Sequence, residues 1–184
     1  MGDEQAFVVL VRRHSGAMLR LASSFVPSVA VAEEVVQDTW VAVLHRIDRF
    51  EERSSLRTWL FRILVNRART AGARERRSVA VEDIGLALDA SRFNAAGGWL
   101  SPPEHWIEQA DDRLNAVKVA DRIRSSIEDL PPRQRQVVTL RDVEGLSSDD
   151  VCSVLEITAG HQRVLLHRGR SRLRQIIETD FGRP

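Results

Sequence analysis

Arginine is concentrated in one short, apolar segment of the sequence. Residues 53–77 read RSSLRTWLFRILVNRARTAGARERR and carry eight arginines against a single acid, Glu75. Arg62, Asn66 and Arg69 stand at i, i+4 and i+7, so a helix would place them on one face. Guanidinium groups suit phosphates, and an amide can hydrogen-bond a base edge. This face is therefore typical of a surface that binds single-stranded nucleic acid.

Two residues of this segment have alternative interpretations. Trp59 could stack on a base, an interaction of about 1–3 kcal/mol, or it could belong to the core. Asn66 could be a base-reading amide, a solvated side chain or a local cap. A genome rich in G and C would favour arginine over lysine throughout the chain, in which Lys118 is the only lysine, but it would not explain why the arginines cluster.

A second basic stretch covers residues 157–177, with five arginines and no acid. On a helical wheel one side of it is apolar and is predicted to be core: Leu166, Gly169, Leu173, Ile176 and Ile177. The opposite side presents the candidate nucleic-acid contacts: Arg163, Val164, His167, Arg168, Ser171 and Arg174.

An acidic face is predicted on an earlier helix, at about residues 30–47. Its apolar side carries Val36, Trp40, Val43, Leu44 and Ile47, and its other side carries Glu33, Glu34, Gln37 and Asp38. In a helix of unknown context such a face is as often merely solvated as it is a binding surface.

Enzymatic chemistry has little support in the sequence. His14, His45, His105, His161 and His167 have no metal-ligand spacing, and we find no Gly-rich phosphate loop or nucleophile motif. Cys152 is the only cysteine and lies in an apolar stripe, where we expect a buried small hydrophobe. We therefore predict no metal, no cofactor and no catalytic residue.

Helical spacing dominates the elements that carry these residues, so the predicted fold class is all-α. Three amphipathic helices occupy residues 1–77; the first ends at Pro27-Ser28, and in the third Leu56, Leu60, Ile63 and Leu64 share the buried side. A helix lying on a membrane can also combine arginine with tryptophan and leucine. Because all three helices carry apolar stripes that need partners, a small three-helix domain is the simpler interpretation.

Residues 78–112 differ in character and are predicted to be a long acidic linker. They hold seven acids and one arginine, a net charge of −6, together with the helix-breaking stretches NAAGG and SPPE. Trp99 and Trp106 also lie here, which suggests that parts of the linker dock on a surface.

Residues 113–181 are predicted to form a second small helical domain. One helix is stopped by LPP, and the next ends at Gly145, which is typical of a helix C-cap. Ser147 precedes Asp150 by three residues, close to the capping-box pattern, and Thr158 is a candidate N-cap for the arginine-rich helix. Two short helices joined by a tight turn containing glycine indicate a helix-turn-helix.

Two blocks of the sequence resemble the extracytoplasmic-function (ECF) sigma factors of bacterial RNA polymerase. AEEVVQDTWVAVLHRIDRF followed by TWLFRILVNRARTAGARERR resembles their second conserved region, and DLPPRQRQVVTLRDVEGLSSDDVCSVLEI with HRGRSRLR resembles their fourth. The resemblance covers nearly the whole chain outside residues 78–112. The segment GHQRVLL departs from the family pattern, which puts the −35 specificity in doubt.

The resemblance implies a function in promoter recognition without catalysis. It implies that core RNA polymerase is bound through the β′ clamp helices by Glu33, Glu34, Gln37 and Asp38, and through the β flap by the second domain. It implies that the −10 element is melted and held as a single strand by residues 1–77. The residues predicted to contact that strand are Phe50, Arg53, Ser54, Trp59, Arg62, Asn66 and Arg69.

The second domain is expected to bind the −35 element as duplex DNA. In a helix-turn-helix the N-terminal turns of the second helix meet the base edges, so Arg163 and His167 are the predicted base readers and Arg168 and Arg174 the phosphate contacts. Val164 faces outward and suits either a thymine methyl or the β flap.

Two alternatives to this function can be compared with the same residues. A free-standing helix-turn-helix regulator would need no single-strand surface, and an enzyme would need motifs that are missing. We find neither a signal-peptide pattern nor an apolar run long enough for a membrane span, so the sequence predicts a cytoplasmic protein. The resemblance leaves an anti-sigma factor open as a further partner.

Overall fold

The computed structural model describes residues 4–76 and 113–181, and every regular element in those ranges is helical. The predicted linker 78–112, with Trp99 and Trp106, lies outside the described residues. Along the chain the helices are α1 (Glu4–Ala22), α2 (Val29–Leu44), α3 (Leu56–Arg76), α4 (Arg113–Glu128), α5 (Pro132–Val138), α6 (Ser148–Leu155) and α7 (Ala159–Phe181). A short 3₁₀ turn covers Ile47–Arg49, and a π-helical turn covers Thr139–Val143. The predicted all-α class is confirmed.

Helices α1, α2 and α3 bury a common apolar core. Its fully buried members include Met18, Leu21, Ala32, Val43, Leu60, Phe61, Leu64 and Val65. Trp40 joins α2 to α1, because its Nε1 donates to Ser15 Oγ at 3.0 Å and its ring is nearly perpendicular to that of Phe7, with the ring centroids 5.7 Å apart. The sequence expected the apolar side of α2 to continue to residue 47, but α2 ends at Leu44, and both Leu44 and Ile47 are exposed.

Local hydrogen bonds set where these helices begin. Ser28 caps α2 by accepting from the Val31 amide at 3.3 Å, and Ser55 caps α3 by accepting from the Thr58 amide at 3.1 Å. Near the end of α3, Gly72 faces the carbonyl of Phe25, and a Cβ on this glycine would lie 2.4 Å from that oxygen. Position 72 therefore has room only for glycine.

The described chain divides into two compact units that do not follow the chain order. Residues 4–76 and 139–157 form the first unit, and residues 113–138 and 158–181 form the second. Residues 139–157 thus associate with the three N-terminal helices, although the sequence assigned them to the second predicted domain. The predicted domain boundaries themselves stay a prediction.

In the first unit, residues 139–157 contain a turn and the helix α6. Gly145 takes a left-handed conformation, with φ +64°, and the Leu146 amide donates to the Leu140 carbonyl at 2.9 Å, which closes the preceding helix. Ser147 then caps α6 by accepting from the Asp150 amide at 3.1 Å. Both caps were predicted.

The second unit is built mainly from α5 and α7, with α4 against α7. Leu165 and Leu166 are buried, and Gly169 lies so close to α5 that an added Cβ would be 2.6 Å from a methyl of Val138. Leu173, Ile176 and Ile177 are only half-buried, so the predicted apolar side of α7 is fully covered in its first half alone.

The turn between α6 and α7 differs from the prediction in its residues. We expected a glycine there, but Gly160 lies inside α7, and the left-handed residue is Glu156, with φ 51°. Thr158 caps α7 as predicted, since its hydroxyl accepts from the His161 amide at 3.2 Å.

Candidate nucleic-acid and partner-binding surfaces

The loop before α3 places an aromatic pair beside the predicted single-strand face. Phe50 follows the 3₁₀ turn, and its ring lies 5.3 Å from the ring of Trp59 at an angle of 49°. Both side chains are half-buried. Trp59 is therefore held from one side by Phe50 and keeps part of its surface in solvent, which combines the two interpretations left open by the sequence.

The rest of this loop, residues 51–55, is exposed. Arg53 forms an ion pair with Glu51, and the hydroxyl of Ser54 approaches the carbonyl of Ser55 at 3.5 Å. Glu52 takes a left-handed conformation, with φ 53°. The loop thus turns sharply and presents Arg53 and Ser54 to solvent.

The three residues predicted to share one face of α3, Arg62, Asn66 and Arg69, differ in their exposure to solvent. The side chains of Arg62 and Asn66 are exposed, while Arg69 is only 31% exposed. The Nη1 atom of Arg69 donates to Glu156 Oε2 at 2.5 Å, and its Nη2 atom donates to the Leu155 carbonyl. Two of the three side chains are thus open to a ligand, and the third is held by the end of α6.

A groove of about 390 Å³ runs between α2 and α3, next to Asn66. Apolar atoms of Val35 and Ile63 line it together with polar and charged side chains: Asp38, Arg46, Asn66, Arg67, Thr70 and Arg74. Three guanidinium groups face one carboxylate, so the groove is electropositive and attracts phosphate. Sequence reasoning missed Arg46, Arg67 and Arg74 as candidates, although the i, i+4 and i+8 spacing of Asn66, Thr70 and Arg74 was a usable signal.

The acidic face of α2 is exposed as predicted, at Glu33, Glu34, Gln37 and Asp38. Asp38 is 71% exposed and lies 3.6 Å from a guanidinium nitrogen of Arg67, a loose contact for an ion pair. The face continues into two exposed apolar side chains, Val41 at 53% and Leu44 at 52%. Because Gln37, Val41 and Leu44 follow a helical spacing, they form one stripe on the surface of α2. Adjacent exposed apolar side chains of this kind are typical of a surface that a protein partner covers.

On α7 the predicted contacts fall into two groups. Arg163, Val164 and Arg168 are exposed, whereas His167, Ser171 and Arg174 are half-buried. Arg174 pairs with Glu178 one turn later, with Nε to Oε1 at 2.5 Å. The N-terminal half of α7 thus presents cationic and apolar side chains to solvent, while Leu165 and Leu166 on its other side are buried and hold it in place.

The described residues show neither a metal site nor a membrane-spanning helix. Within residues 4–76 and 113–181 no group of histidine, cysteine and carboxylate side chains could hold a metal ion. No helix in the same ranges is both long and apolar enough to cross a membrane.

Two family models match the chain, and each matches one of the blocks described above. Sigma-70 region 2 matches residues 10–78, and Sigma-70 region 4 matches residues 120–173. Together they cover well over half of the sequence. Most of α1 and all of α2 and α3, with the acidic face and the groove, fall in the first match. The second match contains the end of α4, helices α5 and α6, and most of α7.

Whole-chain relatives and solved structures agree with these matches. The ECF RNA polymerase sigma-E factor of Escherichia coli (strain K12) is 29% identical over 169 residues, which are 92% of this chain and 85% of that protein. The sigma-E factor of Haemophilus influenzae is 28% identical over 177 residues, covering 96% and 90%.

Among solved structures, that of CnrH in complex with the cytosolic domain of CnrY is 27% identical, with a TM-score of 0.56, and covers 97% of this chain and 92% of that one. The sigma factor RpoE of Bartonella quintana, solved with the anti-sigma factor NepR, has a TM-score of 0.64 at 21% identity, covers 96% and 99% of the two chains, and shows the fold alone. Because both sigma-70 regions occur in the expected order and the relatives match nearly end to end, the chain belongs to the extracytoplasmic-function sigma factors of bacterial RNA polymerase.

Proposed function

We propose that this sigma factor is a dissociable promoter-specificity subunit, without catalytic activity of its own, that binds core RNA polymerase and holds the melted −10 strand on α3. The observation that carries the proposal is the exposed Asn66, which stands between the cation of Arg62 and the electropositive groove. An amide flanked by cations can read a base edge while the neighbouring phosphates are neutralised. Trp59, half-open against Phe50, offers a ring face for stacking.

Core binding is assigned to the acidic face of α2. Glu33, Glu34 and Gln37 are exposed on this helix and adjoin the apolar stripe at Val41 and Leu44. A polar rim beside an apolar patch is the usual composition of a protein interface. The proposed partner of this surface is the pair of β′ clamp helices.

The −35 duplex is assigned to the N-terminal half of α7. Arg163 and Val164 lie in its first two turns, which enter the major groove in a helix-turn-helix. The β flap and an anti-sigma factor are further proposed partners. The similar protein CnrH, solved with the cytosolic domain of CnrY, supports the idea of a protein partner besides polymerase.

The test is promoter-dependent transcription with purified components. We expect the chain to co-purify with core polymerase and to direct initiation at specific sites in a library of genomic fragments. The charge reversals Glu33→Arg and Glu34→Arg should abolish co-purification, whereas Glu4→Arg, an equal change at an exposed position on α1, should not. A wild-type chain that binds duplex DNA but not core polymerase would instead identify a free-standing regulator.

A further inference from the structure

The groove between α2 and α3 has the size and the walls of a small-molecule site. Its volume of about 390 Å³ falls in the range of about 300–1,000 Å³ that such sites occupy. One part of its wall is apolar, from Val35 and Ile63, and Val35 is only 5% exposed. The rest of the wall is mostly polar or charged. A ligand in the groove would therefore meet apolar surface and charged groups at once.

Three arginines line this space. Arg46 follows the end of α2 and is exposed, as is Arg74 on α3. Arg67 is half-buried and lies two turns before Arg74, about 10 Å along the helix axis. Within residues 4–76 and 113–181, neither Arg46 nor Arg74 forms an ion pair, and Arg67 has only the 3.6 Å contact with Asp38. The three guanidinium groups are thus available to an anion.

The balance of charge favours an anion that carries several charges in a small volume. Three cations face the single carboxylate of Asp38, so the positive charges exceed the negative one. A DNA strand brings one negative charge per nucleotide, and a sugar separates each charge from the next. The di- or triphosphate of a free nucleotide carries its charges on adjacent phosphate groups, whose oxygens guanidinium forks bind in pairs. A polyphosphate therefore matches the groove better than one phosphate of a strand does.

Asn66 adds a group that can recognise a base. Its side chain is exposed at the groove, and Ile63 lies one turn before it on α3. An asparagine amide can both donate to and accept from the edge of adenine. The apolar side chain of Ile63 offers a surface on which a base can pack. The groove thus combines apolar surface, an amide and cations, which are the groups that bind the parts of a nucleotide.

We propose that this groove binds a free nucleoside polyphosphate, with its phosphates on Arg46, Arg67 and Arg74 and its base against Ile63 and Asn66. The binding itself does not depend on the proposed function of the chain. Asn66 is also the residue proposed to read the melted strand, so a bound nucleotide would keep the strand from it, and this regulatory consequence does rest on the proposed function. DNA phosphates share the chemistry of the ligand, and the experiments distinguish the two sources.

The first experiment measures the binding of three probes to the full-length free chain by isothermal titration calorimetry: ATP, inorganic tripolyphosphate and adenosine. We expect ATP to bind tightest and tripolyphosphate to bind more weakly. Adenosine should bind at least about tenfold more weakly than ATP, because it lacks the group that the cations attract. ATP binding no tighter than that of adenosine would overturn the proposal. Tripolyphosphate binding as tightly as ATP would overturn the assignment of the base to Ile63 and Asn66.

The second experiment locates the site by substitution at exposed positions. Arg46→Gln and Arg74→Gln each remove one cation and should weaken ATP binding about three- to tenfold, the effect of one solvent-exposed charged contact. Asp38→Asn removes the carboxylate that lines the groove and should tighten binding by up to about fivefold. The matched controls are Arg12→Gln and Glu4→Gln, which make the same charge changes at exposed positions on α1. Equal effects of the groove and control variants would reveal attraction by net charge alone and contradict a defined site.

Promoter opening, measured by permanganate footprinting with holoenzyme, separates this inference from the proposed function. If Arg46→Gln weakens opening but leaves ATP binding to the free chain unchanged, the groove serves a DNA phosphate and the nucleotide site is wrong. Asn66→Ala should lower both ATP affinity and opening if both proposals hold. Lower ATP affinity with normal opening would support the nucleotide site and refute the proposed reading of the strand. Lower opening with normal ATP affinity would support that reading and refute the contact of Asn66 with the nucleotide.

Discussion

Helices α3 and α7 are both rich in arginine, yet they differ in how much of their length is packed against the core. In α3 a buried face runs the length of the helix, from Thr58 and Leu60 to Ala68 and Gly72. In α7 the fully buried positions lie between Gln162 and Gly169, and the residues from Arg170 to Ile177 are half-buried or exposed. A helix with one continuous buried face fixes every exposed side chain relative to the core. We therefore expect α3 to act as a rigid platform, and α7 to be rigid only in its N-terminal half.

The largest expected effect is a loss of folding stability when alanine replaces either of two closely packed glycines, Gly72 of α3 or Gly169 of α7. Gly72→Ala would place a Cβ 2.4 Å from the backbone oxygen of Phe25, which moves only with the chain around it. Gly169→Ala would instead meet a methyl group of Val138, a side-chain rather than a backbone atom, at 2.6 Å. Overpacking costs about 1–3 kcal/mol, so we expect a loss near the top of that range for Gly72→Ala and a smaller loss for Gly169→Ala.

The free energy of unfolding in urea measures both changes. Gly16→Ala is the control, because its nearest neighbour, the guanidinium of Arg20, lies at an ordinary contact distance of 3.6 Å, and a mid-helix alanine should stabilise by up to about 1 kcal/mol. A larger loss at Gly169 than at Gly72 would reverse the comparison of the two helices.

Promoter opening should depend on α3 more than on α7. Asn66→Ala removes the exposed amide and should reduce opening by the equivalent of about 1–3 kcal/mol, while duplex binding changes little, because the contact forms only on the exposed strand. Permanganate footprinting of the −10 region reports opening. Gln175→Ala, which removes an exposed amide from α7, is the control. Equal opening by Asn66→Ala and wild type would show that Asn66 does not read the strand.

Within α7 the two halves should respond differently to the loss of an arginine. Arg163→Ala, in the supported half, should cost about 1–3 kcal/mol and relax the preference at one −35 position. Arg174→Ala should weaken all sequences alike and lower the salt slope by about one. A binding series over −35 variants and salt concentrations measures both. A uniform loss from Arg163→Ala would make it a phosphate contact instead.

The smallest expected effect is a pH dependence of the first unit. Burial lowers the pKa of His14, and the cations of Arg13 and Arg57 lower it further, while Glu144 opposes them. Since the folded pKa lies below the ordinary value of 6.5, the folded chain binds fewer protons than the unfolded chain. Stability from this group is complete above pH 6.5 and is lost as the pH falls through and below that value.

The pH dependence can be assigned by substitution. His14→Gln should flatten the decline of the unfolding free energy between neutral and mildly acidic pH. An identical decline in His14→Gln and wild type would exclude His14 as its source.

Local chemistry made much of the fold predictable from the sequence. The caps at Ser147 and Thr158 and the left-handed Gly145 follow from short-range hydrogen bonds and backbone sterics, and all three are confirmed. The prediction of a glycine in the turn before α7 was wrong. It relied on Gly160, because glycine is the residue that most easily takes a left-handed conformation, but the chain turns at Glu156, whose conformation no local preference favours.

Long-range contacts explain what the sequence could not predict. Helical periodicity identifies which side of α3 or α6 is apolar but not which partner covers it, so the attachment of residues 139–157 to α3 was not foreseen. The exposure of Arg62 and Asn66 followed from the wheel of α3 alone. The pairing of Arg69 with Glu156 did not, because its partner is 87 residues away in the chain.

The left-handed conformation of Glu156 has a genetic consequence. Either codon for glutamate becomes a codon for glycine by one base change, so Glu156→Gly is reached in a single mutational step. A left-handed conformation costs a non-glycine residue about 1–2 kcal/mol, and glycine removes that strain at the same moment as the charge. Glu156→Gly would thus remove the ion pair with Arg69 without weakening the turn between α6 and α7. Among the single-base variants of this gene, Glu156→Gly should therefore keep the abundance of the folded chain, which mutation at a structured turn usually lowers.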